Sequence, residues 1–194
     1  KRWEEGGALL ILDEIQPGFG RTGRLFGFMN YHVTPDILVM GKGMAGGMPI
    51  GAFPASYDMM AQLKEAPKMG HITTFGGHPV VAAAALATLK ELTTTTLIKQ
   101  TLEKEKHFRS LLVHPLIKEI RGKGLMLAIL VENAEVANFL VLEGMKKGLI
   151  LFWLLFETRA VRITPPLTIS NEEIEKGCNT ILELLNEWNN QNVN

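Results

Sequence analysis

An acidic side chain and an amine stand at the ends of two apolar runs. Residues 8–12 (ALLIL) lead straight into Asp13 and Glu14, and residues 37–40 (ILVM) lead into Gly41, Lys42 and Gly43, with Lys42 29 positions after Asp13. A carboxylate fixed beside a pyridine-type nitrogen keeps that nitrogen protonated, because the opposite charge stabilises the cationic form. A lysine amine condenses with an aldehyde only when unprotonated, and burial among apolar residues favours the neutral form. Glycines on both sides of Lys42 leave space for a flat ring. Asp13 and Lys42 are therefore candidates for opposite edges of one electron-sink heterocycle.

Two strands and their surroundings must position that pair. Apolar runs without alternation are the pattern of strands covered on both faces, as in a parallel sheet. In open α/β sheets the ligand crevice lies outside the carboxyl ends of the strands, where both groups fall. A third strand is predicted over residues 49–53 (PIGAF). Residues 80–92 (VVAAAALATLKEL) predict a helix that the threonines at 93–96 break. A second helix follows over 97–112, with Lys104, Glu105 and Lys106 on its wet side. From His114 and Pro115 the pattern changes: strands over 125–131 and 149–156 flank a helix over 134–147, then a short strand at 161–163 precedes a helix over 171–188. That alternation predicts a small α+β domain with its own sheet. The polar tail, 189–194, is expected to fray. Residues 1–5 read as the last turn of a helix, and with no initiating Met a preceding segment is expected.

Five stretches carry a resemblance: LLILDEIQPGFGRTG, PDILVMGKGMAGGMPIGA, HITTFGGHP, RGKGLMLAI and VRITPPLTIS. In order and spacing the chain resembles class III, pyridoxal-phosphate-dependent aminotransferases of the ornithine and acetylornithine type. The resemblance implies an α/β fold of the fold-type I class. The chain would cover the end of the large, mostly parallel-sheet domain (1–96) and the small carboxyl-terminal α+β domain (97–194). It also implies that Lys42 bonds covalently to pyridoxal 5'-phosphate and later moves the substrate proton, while Asp13 holds the pyridinium. Gln16 matches a glutamine near the ring's phenolic oxygen. Thr74 matches a threonine that reaches the phosphate across a homodimer interface, and Arg162 matches an arginine that meets a substrate carboxylate. The implied substrates are an amino acid or omega-amino compound and a 2-oxo acid, 2-oxoglutarate foremost. His78 stands where the family usually has asparagine, and Ile72 where a small residue is common. The family's phosphate loop and ring-stacking aromatic lie upstream of the stretch covered here, so the fragment alone is expected to be inactive.

Composition narrows the other readings. With 194 residues, 46% hydrophobic and 21% charged, the chain is long enough for a core that hides about 70% of the unfolded surface. Twenty basic and twenty acidic residues leave no positive field for nucleic acid or anionic lipid, and no run reaches the roughly 18 apolar residues of a membrane span. A single cysteine, Cys178, points to a reducing, cytoplasmic setting. The five histidines show no pairing suited to a metal centre. Two other classes stay open. Residues 18–23 (GFGRTG) match a dinucleotide-binding glycine pattern with Asp36 downstream, which would suit a nicotinamide-linked oxidoreductase; against it, a helix should open at once after the glycines. Arg21 in that turn reads as structural. A non-catalytic dimerisation module is the other reading, and aminomutases and decarboxylases share the lysine and aspartate logic.

Overall fold

The computed structural model describes residues 5–65 and 67–192. The chain divides into two compact units, Lys1–Gly20 with Arg24–Ile98, and Arg21–Gly23 with Lys99–Asn194.

In the first unit β1 (Ile11–Asp13) and β2 (Ile37–Val39) pair in parallel, with Ile11 opposite Ile37 and Asp13 opposite Val39. Both strands are shorter than their apolar runs. Met40 leaves the parallel ladder and exchanges two bonds with Ala52, at 2.8 and 3.0 Å. The third predicted strand does not form; residues 49–53 contribute only that isolated bridge. Prolines at 49 and 54 lack the amide proton that a continuous ladder needs. Glu14, only 3% exposed, accepts from the backbone N–H of Gly27 (2.7 Å) and of Phe28 (2.6 Å). A buried carboxylate is stable when such donors surround it, and here it fixes the 3-10 turn Gly27–Asn30.

A short helix, α1 (Tyr57–Ala61), is capped by the Ser56 hydroxyl, which accepts from Met59 N–H. Helix α2 (Pro79–Thr94) begins with proline at its first turn, and the His78 Nδ1 accepts from Val80 N–H. This acceptor role is one an asparagine side chain also fills, so His78 preserves the cap. Contrary to expectation the helix runs through Thr93 and Thr94. Their hydroxyls donate to the carbonyls of Leu89 and Lys90 one turn back, so they are satisfied within the helix.

Most of α3 (Leu97–Leu111) belongs to the second unit. Of the three charged residues expected on its wet side only Lys106 is exposed. Lys104 is buried, its ammonium donating to Leu167 O at 2.6 Å, and Glu105 accepts from Gly124 N–H and from Arg109 Nε. Consecutive helical residues turn by about 100° each, so three in a row cannot share one face. Burial pulls the Lys104 ammonium below its ordinary range, and the neighbouring Glu173 charge works against that.

The second unit's sheet is antiparallel, in the order β3 (Ile117–Lys123), β4 (Met126–Val131), β6 (Ala160–Ile163), β5 (Phe152–Trp153). Strand β3 has no counterpart in the sequence reading, and only two residues of the predicted 149–156 strand pair. Helices α4 (Ala134–Lys146) and α5 (Asn171–Asn192) cover one face. Alternation on β4 and β6 sends Leu127, Ile129, Val131, Val161 and Ile163 into that core. Ile174, Cys178, Ile181 and Leu185 meet them from one stripe of α5, at helical spacing. Asn133 caps α4 by accepting from Val136 N–H, and Ser170 with Glu173 forms a reciprocal capping box on α5. Helix α5 continues over residues 189–192, so that part of the tail is not frayed. Positions 193–194 and 1–4, which carry the rest of the two terminal expectations, lie outside the described residues.

Candidate active site

Asp13 and Lys42 stand at the same end of the parallel pair. Asp13 closes β1, and its Oδ1 accepts from Ile15 N–H at 2.9 Å, an Asx turn that orients the carboxylate. Lys42 opens the 3-10 turn Lys42–Ala45 three residues past Val39, the register partner of Asp13. Adjacent strands lie about 4.8 Å apart. The two groups therefore leave neighbouring strands at the same end of the pair. The Lys42 backbone has φ +49°, an uncommon value for a residue with a β-carbon, and strain of this kind clusters at functional positions. Its amine makes no hydrogen bond or ion pair among the described residues.

One expectation needs correction. Lys42 is exposed rather than buried among apolar side chains, because a two-stranded sheet flanked by glycines provides little cover. Gln16 lies half-buried in the turn after Asp13, and Thr74 is exposed in the turn that precedes α2. Both are in the first unit with Asp13 and Lys42; Arg162, on β6, is in the second.

The glycine-rich segment does not behave as a dinucleotide loop. Residues 15–24 form turns and open no helix. The Asp36 carboxylate accepts from Leu10 N–H at 2.7 Å, tying the start of β2 to the chain entering β1. Arg21 is structural, as read from the sequence: its guanidinium donates to Leu125 O and Pro165 O, and burial lowers its pKa from the ordinary guanidinium value. Glu14, which sequence reasoning passed over, fixes the loop after β1. A lone acid next to Asp13 gives no sign of which backbone donors will meet it.

Arg162 is half-buried and faces away from the helices, on the side of the sheet that carries Ala128, Leu130 and Ala160. Its register partners are Ala128 on β4 and Phe152 on β5, and its guanidinium lies 4.8 Å from the Phe152 ring centroid. The acid considered as its alternative partner, Glu157, is committed elsewhere. Arg159 grips both its oxygens at 3.0 and 2.9 Å, and that grip holds the Glu157 carboxyl down at about 2.

The class-III aminotransferase family model matches residues 3–185. The chain belongs to that family. This class-III aminotransferase chain is 40% identical over 190 residues to an acetylornithine aminotransferase of Caldanaerobacter subterraneus subsp. tengcongensis, covering 95% of the chain and 46% of that protein. It is likewise 40% identical over 193 residues to a putrescine aminotransferase of Pectobacterium atrosepticum, covering 96% of the chain and 41% of that protein. Among solved structures, ornithine aminotransferase from Toxoplasma gondii superposes with a TM-score of 0.86 at 32% identity, over 97% of this chain and 46% of that one. A second structure of the Toxoplasma gondii enzyme, at 33% identity, TM-score 0.86 and 97% and 45% coverage, has pyridoxal phosphate at partial occupancy in its active site. The class-III chain thus has the fold-type I α/β architecture that its motifs imply, and it spans about half the length of the curated relatives it matches.

Proposed function

We propose that this chain is the part of a pyridoxal-phosphate-dependent aminotransferase that carries the reactive lysine. The enzyme moves an amino group from an ornithine-like, acetylornithine-like or diamine donor to a 2-oxo acid, 2-oxoglutarate foremost. The observation that carries the reading is the exposed amine of Lys42, unpaired among the described residues, at the same end of the parallel strand pair as the Asp13 carboxylate, in a chain matched to the family from residue 3 to residue 185. The names of the relatives, acetylornithine and putrescine aminotransferases, support the donor class.

The donor set fits the cofactor. It offers an amine for an aldehyde, a carboxylate for a ring nitrogen, an amide and a hydroxyl for the remaining polar edges, and glycines at 41 and 43 that leave the approach open. Bound there, pyridoxal phosphate supplies an aldehyde that condenses with amines and a protonated ring that accepts electron density from the substrate carbon. Lys42 Nζ would hold the cofactor through its aldehyde and, as a free amine, would take the proton from the substrate carbon bearing nitrogen and return it in the second half of the exchange. Asp13, oriented by its bond from Ile15 N–H, keeps the ring nitrogen protonated by charge pairing. Gln16 would donate to the ring's oxygen, Thr74 would donate its hydroxyl to the phosphate bound by a partner copy in a homodimer, and Arg162 would receive a substrate carboxylate.

The test is glutamate formation from 2-oxoglutarate with acetylornithine, ornithine and putrescine in turn, using the polypeptide that carries this chain. Lys42→Ala is expected to lower turnover by at least about a thousandfold, the scale seen when a covalent and proton-moving group is lost. Near-normal rates in that variant would reject the role of Lys42, and absence of glutamate with every donor would reject the donor class.

A further inference from the structure

Arg162 is held by a ring and by nothing else among the described residues. Phe152 lies directly opposite it in the β5–β6 register, and the guanidinium carbon stands 4.8 Å from the ring centroid. Side chains paired this way share one sheet face, so the contact is built into the register. The arginine Nε is buried and has no hydrogen-bond partner. On its other side stands Ala128, which has no polar group to offer, and Glu157 is occupied by Arg159. Buried donors in folded proteins are nearly always satisfied, so the open Nε calls for a partner that the described residues do not supply.

We infer that Phe152 is a positioning residue: its ring supports the flat face of the Arg162 guanidinium and leaves the hydrogen-bonding edge of the group for a carboxylate. An acidic partner in place of the ring would fix the arginine equally well but would occupy that edge. Stacking and in-plane hydrogen bonding use different directions of the same planar group, so the ring and a carboxylate bind it together. The inference rests on the proposed role of Arg162 as a carboxylate receptor, and it adds that the affinity of that receptor is set from β5.

The test is a titration of the 15N-labelled chain with sodium glutarate against matched sodium chloride, followed at the Arg162 Nε–Hε resonance, which Arg162→Lys removes and so assigns. In the unaltered chain the resonance is expected to carry a ring-current shift and to move with glutarate. Phe152→Leu is expected to abolish the ring-current shift and to raise the glutarate midpoint about fivefold, the scale of one cation–π contact. Phe152→Tyr keeps a ring and should restore the midpoint to within twofold. If Phe152→Leu disturbs the β5–β6 amide pattern, Phe152→Met fills the space without a ring and gives the same comparison. Equal midpoints in the ringless and unaltered chains would overturn the inference while leaving Arg162 a carboxylate receptor. An Arg162 resonance that glutarate never moves would reject the receptor role and the inference with it.

Discussion

Gly122 and Gly148 make a matched pair in which the same substitution meets different surroundings. Both have positive φ, +110° and +78°, so alanine at either position carries backbone strain. Nothing lies within 4 Å of a β-carbon at Gly148, just past the end of α4. There Gly148→Ala meets only the left-handed penalty of about 1–2 kcal/mol, partly offset by the lower entropy of the unfolded chain, for a net cost of about 1 kcal/mol. At Gly122 a β-carbon would overlap the carbonyl oxygen of Met126 and stand 3.0 Å from Leu127 Cα. These are backbone atoms of β4, and Gly122 faces Leu127 in the β3–β4 register, so relief requires the two strands to part. Strain of about 1–3 kcal/mol adds to one or two ladder hydrogen bonds at about 0.5–1.5 kcal/mol each, giving about 3–4 kcal/mol for Gly122→Ala. Urea unfolding followed by circular dichroism reads the difference. With m values of about 1–3 kcal/mol/M, the Gly122→Ala midpoint should lie about 1 M or more below that of Gly148→Ala. Equal midpoints would mean that β3 yields without cost at Gly122, and the argument from close backbone approach would fail.

Other outcomes follow from single sites. Cys178 is fully buried in the second core and its thiol is pushed up to about 12, so a thiol reagent at pH 8 should leave it unmodified until denaturant is added. Rapid labelling of the folded chain would contradict that. The Glu157 carboxyl, held down by Arg159, has a folded pKa below its unfolded value of 4.5. Its contribution to stability is therefore present above pH 4.5 and lost as pH falls toward about 2. Glu157→Gln should flatten that part of the urea midpoint against pH, and the effect should shrink in high salt because the pair is at the surface. An unchanged slope would show that other carboxylates govern acid unfolding. Ile181→Ala, in the stripe of α5 that meets β4 and β6, should cost about 2–5 kcal/mol in the same urea assay. A loss below about 1 kcal/mol would mean that α5 is not packed as described.

The local pattern carried much of the architecture. Ala- and Leu-rich composition marked α2, the sequence also placed a last helix over 171–188 where α5 lies, and the end of an apolar run marked where Asp13 and Lys42 leave the sheet. Strand β3 escaped because IKEIRGK mixes charged and apolar residues; only one face of that strand meets a core, so its composition reads as loop. The threonines that end α2 looked like helix breakers because propensity does not register hydroxyls bonded back to carbonyls. Lys104 looked solvated because it sits in a run of charges, yet the carbonyl of Leu167, far along the chain, takes it in.

By itself the sequence determined where the main helices and the first two strands lie, which end of those strands bears a charged group, and to which family the motifs point, since these depend on residue type and short-range spacing. Only the tertiary structure decided that Lys42 is exposed, that Glu14 fixes the loop behind Asp13, and that Phe152 lies under Arg162. Those facts depend on strand register and on backbone donors distant in the chain. A shift of one residue in the β5–β6 pairing would put the ring and the guanidinium on opposite faces of the sheet.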